Sequence, residues 1–433
     1  MKKIHVTTLG CPKNVVDSEH LLGLLKINDF QISQTPEESD VLIINTCGFI
    51  NDAKEESIQA ILEALELKKS DPHKKVFVAG CLTQRYRKEI EQEIPEVDAI
   101  FGTEEYSAIL KALGKGHASM DNFHRTRLIT TPRHYAYLKI SEGCNHTCAF
   151  CAIPGIRGKH KSKPIEQLVE EATVLAANGT RELIVVSQDT SYYGKDLYGE
   201  QRIVPLLQAL EKVEGIEWIR VLYWYPTNFP MDVLHWMRDS QKLVHYLDLP
   251  IQHISDHVLR QMRRGDTRKS ILNILQQAKK LVPDVTFRTT VIVGHPGERR
   301  QDFDELLRFV EEIRFDRLGS FIYSDEDGTA AFDLPDKVDE AVARQRQEQL
   351  MEIQREISLE KNREMIGKSA SVLIDEYNSE MNFYLARTYK DAPEIDNEVI
   401  ILNQSKQRLK VGQFQQVEII DATEYELYGK TIS

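Results

Sequence analysis

The chain has 433 residues, of which 41% are hydrophobic and 28% charged, and its net charge is −12. This length accommodates two or three domains with a real core, and no run approaches the roughly 18 apolar residues of a membrane-spanning helix. Because the N-terminus is too polar for a signal peptide, we expect a cytoplasmic protein. In that reducing compartment its six cysteines should be ligands or free thiols. The negative net charge argues against a protein that coats nucleic acid and is compatible with a basic protein partner.

Three short apolar segments in the first 100 residues each end at a cysteine. KIHVTTLGC, DVLIINTC and KVFVAGC end at Cys11, Cys47 and Cys81, and a helical pattern follows each of them. This β-α alternation predicts a small doubly wound α/β domain over residues 1–125. Since the carboxyl ends of parallel strands share one edge, we expect the three cysteines to converge there and to hold a metal cluster. The alternative is three small buried core thiols.

A second group of three cysteines lies within CNHTCAFC, at Cys144, Cys148 and Cys151. Structural zinc normally takes four ligands in paired knuckles, and no second Cys or His pair follows at that distance; His146 and His160 do not supply one. Haem attachment requires C-x-x-C-H, which is absent. Three thiolates fit a 4Fe–4S cluster with one iron open to a small molecule.

Strand-like and helix-like segments alternate after this motif, from EQLVEEATVLAANG to RLGSFIYS. The alternation predicts a full or partial (β/α) barrel within a domain spanning residues 126–366. Four polar residues fall at the carboxyl ends of predicted strands, where such barrels carry their active sites: Gln188, Asp189, Gln252 and His253. The alternative for each one is a loop residue that caps the next helix.

The last part of the chain changes character after a charged helical stretch at residues 336–366. ASVLIDE, NFYLARTY, NEVIILN and QFQQVEIID predict a small antiparallel β-barrel over residues 367–433. That segment holds seven basic and eleven acidic residues, a net charge of −4. Because RNA-binding modules are basic, we expect weak RNA binding at most and a basic protein as partner.

CNHTCAFC resembles the signature of the radical S-adenosylmethionine (radical SAM) enzymes. The resemblance implies that Cys144, Cys148 and Cys151 hold a 4Fe–4S cluster whose open iron chelates SAM. It places Phe150 near the adenine, and Gln188 and Gln252 in contact with SAM. It also implies reductive cleavage of SAM to a 5′-deoxyadenosyl radical, with an electron donor such as flavodoxin or ferredoxin. The protein then orients the reactants and needs no general acid or base, so no catalytic side chain is assigned.

LGCPKN, INTCGFI and VAGC, followed by the radical SAM motif, resemble the methylthiotransferases over nearly the whole chain. In that family the N-terminal cluster, here on Cys11, Cys47 and Cys81, carries the sulfur. One SAM methylates it and a second SAM provides the radical. The C-terminal segment resembles the TRAM module.

LGCPKNVVDSE, CGFINDAKEES and YWYPT resemble the RimO branch, which modifies an aspartate of small-subunit ribosomal protein twelve. The alternative branch modifies an adenosine in tRNA and typically carries GCQMN at the first cysteine. In this chain Pro12 and Lys13 replace the Gln-Met pair of that motif. GHPGERR departs from the family pattern, and we assign His295 no role. An iron–sulfur electron carrier is a third alternative, although such carriers are short and use four cysteines per cluster.

Overall fold

A computed structural model describes residues 2–115, 123–402 and 408–432. The chain divides into two units: one contains residues 1–131, 137–146 and 151–174, and the other contains residues 132–136, 147–150 and 175–433. In the described ranges, none of the helices is both long and apolar enough to cross a membrane. The three-domain boundaries expected from the sequence stay a prediction.

The first unit contains the doubly wound domain. Its strands are β1 (Lys3–Thr8), β2 (Gln31–Ile32), β3 (Val41–Thr46), β4 (Lys75–Gly80) and β5 (Ala99–Ile100), and its helices are α1 (Pro12–Ile27), α2 (Asn51–Ser70), α3 (Cys81–Glu93) and α4 (Tyr106–Ala112). All strand pairs are parallel, in the order β2-β1-β3-β4-β5. The central strand β3 is buried along its whole length because helices cover both faces. Ile43 belongs to the core on one face, and Leu42 and Ile44 belong to the core on the other.

The chain then passes through a short 3-10 helix, Phe123–Arg125, and a group of small elements. These are β6 (Tyr135–Lys139), β7 (Ser141–Glu142), α5 (Ile153–Arg157), β8 (Lys161–Ser162) and α6 (Ile165–Ala177). Strands β7 and β8 pair in antiparallel fashion, with Glu142 opposite Lys161. The cysteine loop follows β7.

The second unit contains another set of parallel strands: β9 (Glu182–Val186), β10 (Trp218–Val221), β11 (Tyr246–Asp248), β12 (Thr286–Val293) and β13 (Arg317–Ile322). Strands β9 and β10 pair in parallel, as do β11, β12 and β13. A bridge between Ile219 and Leu243 connects the two groups. The helices are α7 (Lys195–Tyr198), α8 (Ile203–Glu211), α9 (Asp232–Asp239), α10 (Asp256–Gln261), α11 (Arg268–Leu281), α12 (Arg300–Ile313) and α13 (Glu340–Arg363), with a 3-10 helix at Thr190–Tyr192. The predicted partial (β/α) barrel is confirmed.

The C-terminal segment forms a closed five-stranded barrel. Its strands are β14 (Ser369–Asn378), β15 (Phe383–Thr388), β16 (Glu398–Leu402), β17 (Phe414–Ala422) and β18 (Glu426–Thr431), in the order β14-β15-β16-β18-β17. Sequence patterns indicated the first four strands and missed β18, whose segment ELYGKT has a glycine and a lysine in its last half. The closure also differs from expectation because β16 and β18 are parallel, while the other pairs are antiparallel.

Ion pairs connect this C-terminal barrel with the β9–β13 strands of the same unit. Asp391 binds Arg317, and Asp396 lies 3.3 Å from Arg288 Nε. Asp375 accepts hydrogen bonds from Arg387, which also binds Glu182 of β9. Arginines of their own unit therefore already pair with these carboxylates, so the formal charge of the barrel overstates what these three residues offer to a basic partner.

Candidate active site

The first three cysteines lie at the ends of neighbouring strands, as predicted. Cys11 caps α1 in an extended conformation, Cys47 directly follows β3, and Cys81 begins α3 directly after β4. A β-carbon added to Gly10 would lie 2.7 Å from the Cys47 β-carbon, and one added to Gly48 would lie 3.1 Å from the Cys81 carbonyl carbon. The three cysteine segments are thus in close mutual contact, and only glycine leaves room between them.

Asn14, which the sequence interpretation did not single out, joins these strand ends. Its side-chain amide donates to the Leu9 carbonyl at 2.8 Å and to the Thr46 carbonyl at 3.0 Å. Its Oδ1 lies 3.7 Å from the Cys81 sulfur. Asn14 is completely buried, so one side chain ties together the backbone before Cys11, the backbone before Cys47 and the thiol of Cys81.

The site is shielded from water. Cys47 and Cys81 are buried, and the backbone of Cys47 is held by the hydroxyl of Ser57 on α2, which accepts from its amide at 3.0 Å and donates to its carbonyl at 2.8 Å. Burial raises the pKa of the Cys47 thiol, and it raises the pKa of the Cys81 thiol to about 12 although Arg157 opposes the shift. Thiols in such surroundings become thiolates when a cation replaces their protons, as metal binding does.

In the second cysteine group, Cys144 and Cys151 belong to the first unit and Cys148 to the second. The amide of Cys144 donates to the Gly158 carbonyl at 3.0 Å, and the amide of His146 donates to the Cys144 sulfur at 3.4 Å. His160 is buried with its Nε2 3.2 Å from the Ser162 hydroxyl. None of the six cysteines, all of which lie in the described ranges, forms a disulfide.

Tyr225 is a second residue that the sequence interpretation missed, although its motif YWYPT was noted. Its hydroxyl lies 3.2 Å from the Cys148 sulfur. The guanidinium of Arg264 stacks 4.2 Å from the centre of its ring, and Asp266 holds that guanidinium through a 2.8 Å ion pair. Burial raises the pKa of the Tyr225 hydroxyl.

Phe150 lies beside a buried aromatic group. The centre of its ring is 6.5 Å from that of His295, which is 5.3 Å from that of Tyr323. Nδ1 of His295 donates to the Pro296 carbonyl at 2.9 Å. Burial lowers the pKa of His295 to about 4, so the imidazole is neutral and packs as an aromatic ring.

The two glutamines lie beyond the carboxyl ends of β9 and β11. Gln188 comes two residues after β9 and is half-buried. Gln252 has a left-handed backbone, with φ of 67°, which non-glycine residues rarely adopt. Two hydrogen bonds with β12 hold this conformation: its amide donates to the Thr290 carbonyl at 2.9 Å, and its carbonyl accepts from the Ile292 amide at 2.7 Å. Strain held in this way is typical of functional sites.

The residues next to these glutamines have structural roles. Asp189 accepts from the Tyr192 amide at 3.2 Å and caps the 3-10 helix. His253 is buried, and its Nδ1 accepts from the Ser255 amide at 3.0 Å. The contacts of Asp189 and His253 thus agree with the alternative given above, in which such polar residues belong to loops and cap the following helix.

Within the described ranges, no three His, Cys, Asp or Glu side chains are placed to share one metal ion. A 4Fe–4S cluster takes each cysteine on a different iron, so its ligands stand farther apart than those of a single ion. The donor set of Cys11, Cys47 and Cys81, three thiols carried by neighbouring strand ends, fits such a cluster.

Three family models match the chain. Residues 3–102 match a family described as Uncharacterized protein family UPF0004, residues 138–310 match the Radical SAM superfamily, and residues 366–432 match the TRAM domain. Among solved structures, a radical S-adenosylmethionine methyltransferase, TsrM from Kitasatospora setae, has a TM-score of 0.55 at 11% identity and covers 76% of this chain and 77% of its own. At this identity the likeness shows a shared fold.

Curated relatives match over the full length. The protein from Christiangramia forsetii, named ribosomal protein uS12 methylthiotransferase RimO, is 48% identical to this chain, and the alignment covers 100% of this chain and 94% of the relative. The relative from Aquifex aeolicus is 49% identical over 99% of this chain and 97% of its own. The relative of the same name from Flavobacterium johnsoniae is 48% identical over 99% of this chain and 98% of its own length.

Proposed function

The chain belongs to the RimO family of ribosomal protein uS12 methylthiotransferases, and from this premise we propose that it adds a methylthio group to the β-carbon of an aspartate in uS12 and consumes two SAM molecules. It is a radical SAM enzyme, with SAM and two 4Fe–4S clusters as cofactors. The observation that carries the proposal is sequence identity of 48–49% over alignments that cover nearly the whole chain, and therefore both cysteine groups and the C-terminal barrel.

We propose that the two cysteine groups divide the chemistry. Cys144, Cys148 and Cys151 hold the cluster that binds SAM, and Cys11, Cys47 and Cys81 hold the auxiliary cluster. When bound, these clusters supply the electron for SAM cleavage and the sulfur for transfer. The chain contributes the surroundings: the Tyr225 hydroxyl contacts the Cys148 sulfur, and Asn14 keeps the three N-terminal strand ends in register.

We also propose that Phe150, Gln188 and Gln252 contact SAM. The left-handed backbone of Gln252, held by two hydrogen bonds with β12, restricts the direction in which its side chain leaves the backbone. Phe150 offers a ring braced by His295, on which an adenine has an apolar surface. These residues bind and orient, which is the contribution that a protein makes to cofactor chemistry.

The proposal places the reaction in the cytoplasm, with an electron donor such as flavodoxin or ferredoxin. Its substrate, uS12, is a basic ribosomal protein.

Mass spectrometry tests the assignment. In a deletion strain, digested uS12 should lose the mass of the methylthio group, and tRNA nucleosides should be unchanged. Re-expression of the chain should restore the mass on uS12. Loss of a methylthio-adenosine from tRNA, with uS12 unaltered, would replace this function with the tRNA-modifying one.

A further inference from the structure

Arg157 places a buried positive charge at the N-terminal cysteine site. It lies in the segment that follows Cys151, and only 7% of its surface is exposed. Its Nη2 donates to the Cys81 sulfur at 3.4 Å and also to Oδ1 of Asn14. The guanidinium therefore contacts both a proposed cluster ligand and the side chain that joins the strand ends.

The other side of the guanidinium is held by two carboxylates. Nη1 donates to Asp17 at 3.0 Å and to Glu142 at 2.9 Å. Lys139 binds the same two carboxylates and is also buried. Two cations and two anions thus form a closed network, and Arg157 is the member of it that reaches a cysteine.

We propose that Arg157 is a positioning residue that sets the reduction potential of the N-terminal cluster. The potential of an iron–sulfur cluster depends on its net charge and on hydrogen bonds to its sulfurs, and Arg157 provides a cation and an N–H donor at the Cys81 sulfur. Burial strengthens both effects, because the local dielectric is low. Both favour the more negative, reduced cluster, so Arg157 raises the potential. The inference rests on the proposed function, since it takes Cys81 as a cluster ligand.

A purely structural role for Arg157 makes a different prediction. A buried ion pair affects stability when it is broken, but without contact to the cluster it leaves the potential unchanged. Arg127 is the matched control, because it is also buried in the first unit and binds two carboxylates, Glu19 and Glu171. None of the hydrogen bonds described for it involves a cysteine.

The experiment uses the full-length chain with Cys144, Cys148 and Cys151 changed to alanine, so that only the N-terminal cluster contributes to the signal. Arg157→Gln, Arg157→Lys and Arg127→Gln are introduced separately, and each protein is reconstituted anaerobically. Iron content is measured first, and redox titration followed by electron paramagnetic resonance then gives the midpoint potential. We expect Arg157→Gln to shift the potential to a more negative value, Arg157→Lys to retain part of the parent potential, and Arg127→Gln to match the parent.

Equal potentials in the parent and in Arg157→Gln would overturn the inference. If Arg157→Gln lost its iron, Arg157→Lys would decide: a potential more negative than that of the parent supports the inference, and an unchanged potential overturns it. A parent that binds no iron would instead contradict the proposed function, which separates the two failures.

Discussion

Arg317 of β13 and Asp391 of the β15–β16 loop form a buried ion pair, with Nε of Arg317 donating to Oδ1 of Asp391 at 2.9 Å. Arg288 and Asp396 form a second contact, and Arg387 and Glu182 a third. The strand residues of these pairs lie near the amino-terminal ends of β9, β12 and β13. Gln188 and Gln252 instead follow the carboxyl ends of β9 and β11. The C-terminal barrel is therefore attached at the opposite end of the strands from the proposed SAM contacts.

We expect Asp391→Asn to loosen this attachment. Removing one partner of a buried ion pair leaves an uncompensated charge and costs about 3–5 kcal/mol. Glu394→Gln is the control, because Glu394 is exposed and accepts only from the Tyr135 hydroxyl among the contacts described for it, so its change should cost about 0.5 kcal/mol. Hydrogen exchange of the β15 and β16 amides measures the difference. Equal protection in the two variants would show that the ion pair does not hold the barrel.

The stability of the first unit should depend on Glu171 in acid. Burial by itself raises the pKa of Glu171, but Lys163, His20 and Arg127 outweigh it and lower the pKa from 4.5 to about 2. A lowered pKa stabilises the fold above the unfolded value, so this contribution is complete above pH 4.5 and is lost as the pH falls towards 2. The shift corresponds to about 3 kcal/mol.

Glu171→Gln should therefore lower the thermal midpoint at pH 7 and flatten its decline below pH 4.5, as followed by circular dichroism. Glu170→Gln changes a partly exposed neighbour and should leave both features close to the parent. A parent-like acid profile in Glu171→Gln would contradict the prediction.

Changing Cys144, Cys148 and Cys151 together to alanine should halve the iron. We expect about eight iron per chain in the anaerobic parent and about four in this variant, because each cube-type cluster holds four. SAM cleavage to 5′-deoxyadenosine should be abolished. Full iron retention would show that these cysteines are not cluster ligands.

The corresponding change of Cys11, Cys47 and Cys81 should separate cleavage from transfer. This variant should still produce 5′-deoxyadenosine, since the radical SAM motif is intact, and it should form no methylthio product on uS12. Chromatography of the nucleoside and mass spectrometry of uS12 measure the two outcomes. Product formation would mean that the N-terminal cluster has only a structural role.

Gly10→Ala should remove the N-terminal cluster without altering any cysteine. The new β-carbon would lie 2.7 Å from the Cys47 β-carbon, so Cys47 must move. Gly114→Ala is the matched control: Gly114 also has a positive φ, of 100°, but nothing lies within 4 Å of its added β-carbon. Both changes strain the backbone by about 1–2 kcal/mol. Iron content should fall by half in Gly10→Ala only, and equal iron in both variants would show that the cluster tolerates displacement of Cys47.

The sequence by itself determined the fold class and the six cysteines as candidate ligands. Strand and helix periodicity and short cysteine spacings are local features, so they can be read without knowledge of distant contacts. The sequence also predicted that Cys11, Cys47 and Cys81 lie close together, because parallel strands place their carboxyl ends along one edge of the sheet. Strand β18 escaped detection because its hydrophobic pattern is weak.

Only the tertiary structure decided which side chains surround the sulfurs and which charges are free. Arg157 reaches Cys81 across 76 positions of the chain, and Tyr225 reaches Cys148 across 77. Asp391 is one of the eleven acidic residues that contribute to the charge counted for the C-terminal segment, but Arg317, 74 positions away, forms a buried ion pair with it. The physical reason is that desolvation and pairing set the effective charge of a side chain, and both depend on the partners that folding brings together.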